Sequence, residues 1–251
     1  MPIKGTCRLH LKEAELLKSH YMPAALYPTD RHKSATAIRE AVVSGKTKHV
    51  RDHLLCAGCE VKFAKNGEQE VLKWLAPKAN RFSLAERMKL ALPREQYAEM
   101  SVFSANGLGI DAVKFAYFAL SLVWRGAVHV WQLPDGTQSI PLDLGDYEDT
   151  IRRYLVGETP FPHDVISIIV IVCSDPETRS IWITPCQDAM DGCENYRFIT
   201  RGVLFRVMLG PTIPSFFREN SCVSAQCISF ADCSKRVMRD LPFLLQAPVA
   251  W

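Results

Sequence analysis

Two short pairs of soft side chains carry the first chemical signal: Cys7-Arg8-Leu9-His10 and Cys56-Ala57-Gly58-Cys59. Zinc takes four sulfur or imidazole ligands in a tetrahedron, and a two-residue gap lets both side chains of a knuckle reach one ion. Cys7, His10, Cys56 and Cys59 are therefore expected to hold a structural zinc. Gly58 is expected to give the second knuckle the backbone freedom of a tight turn. His49 and His53 are rivals of His10 for the fourth place. The alternative, an incidental thiol at Cys7 with ordinary buried cysteines at 56 and 59, does not account for two matched pairs. Nine cysteines in a chain of 251 residues read as thiols and metal ligands rather than disulfide staples.

A second candidate is His20, in the run Ser19-His20-Tyr21-Met22-Pro23. Imidazole titrates near neutrality and can accept a proton during a reaction. Charge is unevenly spread. Residues 1–94 hold 18 Lys and Arg against 9 Asp and Glu, whereas the remainder is net −6. Such asymmetry points the first half toward phosphate. Arg31, Lys33, Lys46, Lys48 and Arg51 lie in one stretch with few acids and are the expected nucleic-acid contacts. An ordinary solvated loop is the other reading of that stretch. Asp143, Asp146, Glu148 and Asp149 precede a helix and read as its caps rather than as a metal site. Cys222, Cys227 and Cys233 lack knuckle spacing.

The elements that must position these groups follow from periodicity and breakers. A helix is expected to start near Cys59 and pass Phe63, with a turn or kink at Asn66-Gly67. Residues 29–51 read as a surface loop with a short helix near Ala35–Val43. Ser83 and Glu86 form a capping box for a helix from Leu84. Asn106, Gly107 and Gly109 read as a loop. Asp111 caps a long apolar helix reaching about Trp131, with Phe115, Phe118, Leu122 and Arg125 on its core-facing stripe. Pro134-Asp135-Gly136 is a turn, and Tyr147 to Val156 a short helix. Strands are expected over Val165–Cys173, Ser180–Thr184, Tyr196–Leu209 with a break at Arg201-Gly202, and Cys227–Phe230, then a helix over Ser234–Leu245. The fold class is α+β: a zinc module over 1–75, a helical connector over 76–107, and an α+β domain with a small antiparallel sheet over 108–251. The start of the chain has no apolar leader, and its longest apolar run is far short of the ~20 residues of a membrane span. A cytoplasmic protein with no membrane partner is expected.

The segment Cys7 to Tyr27, with its Ser-His-x-x-Pro element, resembles the opening of bacterial HNH-endonuclease-like treble-clef proteins. Leu54-Leu55-Cys56-Ala57-Gly58-Cys59-Glu60-Val61-Lys62-Phe63, followed by Asn66-Gly67-Glu68, resembles their second knuckle and the helix after it. The likeness covers about 70 residues, and the long C-terminal part is similar to uncharacterised bacterial proteins carrying this module. It implies a ββα-metal-like zinc module at the N-terminus. It also implies that His20 is the general base for phosphodiester hydrolysis, beside a catalytic Mg or Mn ion. Glu60 stands where those proteins carry a second histidine, and a carboxylate suits such an ion. Asp52 or His53 stands in the region of their usual asparagine.

The leading expectation is thus metal-dependent cleavage of DNA or RNA. The C-terminal part would serve recognition, homodimerisation or control. The alternative is a non-catalytic protein that keeps the zinc module for binding nucleic acid or protein.

Overall fold

The computed structural model describes residues 3–27, the backbone of 35–38 and 41–44, and 49–76, 82–97, 100–133, 136–174, 178–179, 181–188 and 192–231. The expected turn at 134–136 and helix at 234–245 fall wholly or mainly outside these residues, as do Arg31, Lys33, Lys46 and Lys48.

The chain begins with strand β1 (Ile3–Thr6), a turn holding Cys7 and His10, and β2 (Glu13–His20). β2 pairs antiparallel with both β1 and β5 (Arg51–Cys56), forming a three-stranded sheet. Helix α1 (Ala57–Phe63) leaves β5 directly, so Cys59 lies in its first turn. A π-helical turn over Ala64–Glu68 joins it to α2 (Gln69–Leu75). The expected kink at Asn66-Gly67 is this turn. Gly67 has a packing reason: a Cβ there would come within 2.9 Å of the Phe118 backbone nitrogen.

Between β2 and β5 two short segments pair with a different sheet. β3 (Ala35–Ile38) and β4 (Ala41–Ser44) replace the expected short helix. Thr36, Ile38, Val42 and Val43 suit a pleated strand, and the edge of a distant sheet offers pairing: β3 runs parallel to β9 (Ile181–Asp188).

Helix α3 (Ser83–Leu90) starts at Ser83 itself, with Phe82 at the cap and no side-chain capping bond, so the expected capping box does not form. Strands β6 (Glu95–Gln96) and β7 (Met100–Ser104) follow. The expected loop at 106–109 is a one-turn helix, α4 (Ala105–Leu108). Ser104 caps it by accepting from the Gly107 N–H, and Gly109 closes it at φ 73°. Helix α5 (Ala112–Val128) is capped as expected, with Asp111 accepting from the Lys114 N–H. It stops at Val128, short of Trp131, because His129 takes extended backbone. Helix α6 (Tyr147–Val156) matches its expected bounds.

The sheet is neither small nor purely antiparallel. β8 (Ile166–Cys173), β9, β10 (Glu194–Thr200), β11 (Val203–Leu209) and β12 (Cys227–Ala231), with a short helix α7 (Ser215–Glu219) between the last two, recruit strands from earlier in the chain. The result is nine strands in the order β4-β3-β9-β10-β11-β8-β12-β7-β6. β3–β9 and β12–β8 are parallel, and the other pairs are antiparallel. The α+β class holds, while the sheet takes strands from both halves.

Helix α5 is apolar on nearly every side, the mark of a fully buried helix. On one side Phe115 and Phe118 meet Phe205, and Phe118 also meets Phe198. On the other, Tyr117 and Trp124 meet the Phe63 ring of α1. One buried cluster therefore runs from Cys7 to Ile228, through the expected segments 1–75, 76–107 and 108–251 alike. No helix among the described residues is long and apolar enough to cross a membrane.

The close approach at Gly67 yields a direct test. Gly67→Ala should lower stability by about 1–3 kcal/mol through overpacking against α5, read as a lower midpoint in urea. A midpoint equal to or above that of the parent chain would contradict the contact.

Candidate metal centre and the polar cluster beside it

Cys7, His10, Cys56 and Cys59 converge, with one ligand atom from each lying within 4.8 Å of all the others. Cys7 and Cys59 are buried, while His10 and Cys56 are half-buried. The donor chemistry fits a structural metal such as zinc, because three thiols and an imidazole in tetrahedral reach are its usual set. Local backbone builds the first knuckle. The Cys7 N–H donates to Lys12 O at 3.0 Å and the Leu11 N–H to Cys7 O at 2.9 Å. Leu11 takes the left-handed φ of 59° that closes the turn. Gly58, expected to supply that freedom in the second knuckle, is an ordinary helical residue within α1 and has no positive φ.

The His10 ring sits between Cys56 Sγ, 3.2 Å from Nε2, and the Lys12 N–H, which donates to Nδ1 at 3.1 Å. The Cys59 thiol pulls the Cys7 sulfur down to about 4, helped by the N–H groups of Cys56, His10 and Leu9 against the opposing effect of burial. Its partner Cys59 moves the other way, since the proton shared with Cys7 stays on Cys59. A sulfur ringed by N–H donors that favour its thiolate form is suited to a cation. The second half of the chain buttresses this turn: Arg152 of α6 donates to Leu9 O at 3.1 Å.

His49 and His53, the rival ligands, lie elsewhere. His49 stacks on Tyr27, with centroids 4.8 Å apart, and meets His20 edge-on at 5.5 Å. His53 sits on β5, where its N–H donates to Asp52 Oδ1 at 2.7 Å.

The expected catalytic residues occupy neighbouring places around β2. His20 ends β2 opposite Arg51, and Ser19 stands opposite Asp52. Since side chains alternate along a strand, His20 and Asp52 project to different faces. Burial lowers the His20 imidazole below its ordinary value, as do His49, Arg51 and Arg125, with Glu68 opposing. Burial pushes the Asp52 carboxyl up, but the His53 N–H and the His129 imidazole outweigh it and leave the group below its ordinary value. His129 Nε2 lies 3.1 Å from Asp52 Oδ2.

Glu60, in the first turn of α1, is pushed upward by burial, against the pull of Arg125 and of the Ser19 hydroxyl. Its Oε1 is buried with no hydrogen-bond partner among the described residues.

Arg125 is the group whose role the sequence did not disclose. It is 1% exposed, in the middle of the core. Its Nη2 donates to Glu68 Oε1 at 2.9 Å and its Nη1 to Tyr21 O at 3.3 Å. The guanidinium lies over the Phe63 ring, 4.7 Å from the centroid. Read as one of a stripe of apolar positions on α5, it gave no sign of a partner 57 residues away.

Most of the acidic side chains beside this cluster are already engaged by other groups. Glu68 is engaged by Arg125, and Asp52 by His53 and His129. Glu60 alone leaves one oxygen. The Cys7, His10, Cys56 and Cys59 group is the one set of three or more His, Cys, Asp or Glu placed to hold an ion among the described residues.

A scan against protein-family models and searches of curated proteins and of solved structures find no match to this chain.

Two outcomes follow from the geometry. Elemental analysis should find about one zinc per chain, and Cys56→Ser should lose it together with the cooperative unfolding of the module, because metal binding there is folding free energy. Metal-free protein with an unchanged unfolding curve would refute the centre. Arg125→Met should destabilise by about 3–5 kcal/mol by stranding half-buried Glu68. Adding Glu68→Gln should recover much of that loss in a double-mutant cycle.

Proposed function

We propose that this chain is a zinc-stabilised nucleic-acid-binding protein. In this reading its N-terminal unit is an HNH-like treble clef in which the protein's own arginine has replaced the divalent ion. The observation that carries it is the buried Arg125–Glu68 pair beside Glu60. A permanent guanidinium supplies positive charge to that acidic pair, and hydrolysis by the HNH route is left without its cation. Binding to phosphate rests on the excess of Lys and Arg in residues 1–94, and on exposed Arg51 and His49 beside the half-exposed His20. Arg31, Lys33, Lys46 and Lys48, which lie outside the described residues, are proposed as further contacts from their charge alone.

Metal-dependent phosphodiester hydrolysis with His20 as general base is the second reading. The unpartnered Oε1 of Glu60 favours it, since Mg and Mn prefer oxygen ligands.

Fluorescence polarisation with labelled single-stranded RNA and duplex DNA tests the first reading. Affinity should fall as salt rises, roughly as a power law whose slope counts the phosphates contacted. Arg51→Ala should weaken it and flatten the slope by about one. Absence of binding at low salt would overturn the proposal. Cleavage appearing only with Mg or Mn, and lost in both His20→Ala and Glu60→Ala, would establish the second reading instead.

A further inference from the structure

Three polar side chains gather at the open end of the β2–β5 pair. The His20 and His49 rings lie 5.5 Å apart between centroids, inclined at 62°. Arg51 stands opposite His20 in the strand register. Their backbones are locked, because the Tyr21 N–H donates to Val50 O at 2.9 Å. The His49 ring is exposed yet backed by a fixed surface. It stacks on Tyr27, which is itself buried, packed on Trp182, and bonded through its hydroxyl to both the N–H and the carbonyl of Val50. The charged groups that act on His20 are Arg51 and Arg125, with Glu68 opposing and His49 adjoining. Asp52 projects from the other face and is engaged by His129. Two imidazoles and a guanidinium at one accessible edge make a cluster for which the zinc scaffold alone has no use.

Resting on the nucleic-acid reading above, we propose that His20 and His49 form a metal-free acid–base pair that cleaves single-stranded RNA by transphosphorylation, with Arg51 holding the scissile phosphate. His20, half-buried among cations, takes the proton from a ribose 2′-hydroxyl. The 2′-oxygen attacks the adjacent phosphorus, and the bond from phosphorus to the 5′-oxygen breaks. Protonated His49, the exposed member, gives its proton to that leaving oxygen. One proton is accepted and one donated, and the products are a 2′,3′-cyclic phosphate and a 5′-hydroxyl. Neither metal nor redox partner enters. DNA has no 2′-hydroxyl and is not a substrate.

The test uses the full chain with its zinc, purified in parallel with His20→Ala and His49→Ala. Labelled single-stranded RNA and DNA of one sequence are incubated with Mg and Mn withheld and, separately, supplied. The expected result is RNA cleavage without added metal, cyclic-phosphate ends, intact DNA, and a bell-shaped pH profile. Each histidine variant should lose about 10²- to 10⁴-fold in rate while keeping its zinc and its circular dichroism spectrum. RNA that binds but stays intact, or cleavage equal in His49→Ala, would overturn the pair while leaving the binding proposal standing, whereas cleavage requiring added metal would overturn the pair in favour of the metal-dependent reading. Failure to bind any nucleic acid would overturn both.

Discussion

A guanidinium with 1% of its surface exposed must be neutralised where it lies, and Arg125 is neutralised by Glu68. That requirement ties helix α5 to the turn after α1, and through Tyr21 O to the end of β2. Phe63 lies beneath the cation, and Trp131 donates its indole N–H to the Arg125 carbonyl at 2.9 Å. A low-dielectric setting makes such a pair costly to break once formed. The N-terminal sheet is therefore not an appendage on a linker. It is docked on the same helix that carries the large sheet on its opposite side.

The Cys/His cluster and the arginine lie at two ends of the N-terminal unit's hold on the rest of the chain. The side chains of two knuckles bring the turn before β2 up to the start of α1. Arg125 and the close contact at Gly67 then fix that unit against α5. Arg152 and Lys62 add bonds between α6 and the elements that carry the Cys/His cluster. His20 follows from both constraints. It emerges where the strand ends, held from below by neighbours that disfavour its charged form, with Arg51 and His49 on its open side.

Tertiary pairing overrode local signals in identifiable places. The segment after β2 holds enough polar and small residues to pass for a loop with a helical turn, yet Ala35–Ile38 pairs with β9 and Ala41–Ser44 pairs with Ala35–Ile38 in turn. Ser83 and Glu86 have the spacing of a capping box, but Phe82 is buried and takes the cap position, so the helix begins one residue early. The sheet grew from a small antiparallel one to nine strands because four of its members come from segments before α5.

The metal ligands were legible because coordination demands particular atoms at a short, repeated spacing, and that demand is written in residue type. Helices α5 and α6 and strands β8, β10, β11 and β12 were legible for a similar reason: each is a run whose caps and apolar pattern are local. What surrounds His20 was not legible. Its neighbours Arg51, His49, Arg125 and Glu68 arrive from β5, the segment before it, α5 and the π turn. No short-range rule relates Arg125 to Glu68, since a buried charge chooses its partner by where the backbone brings an opposite one, and only the folded chain decides that.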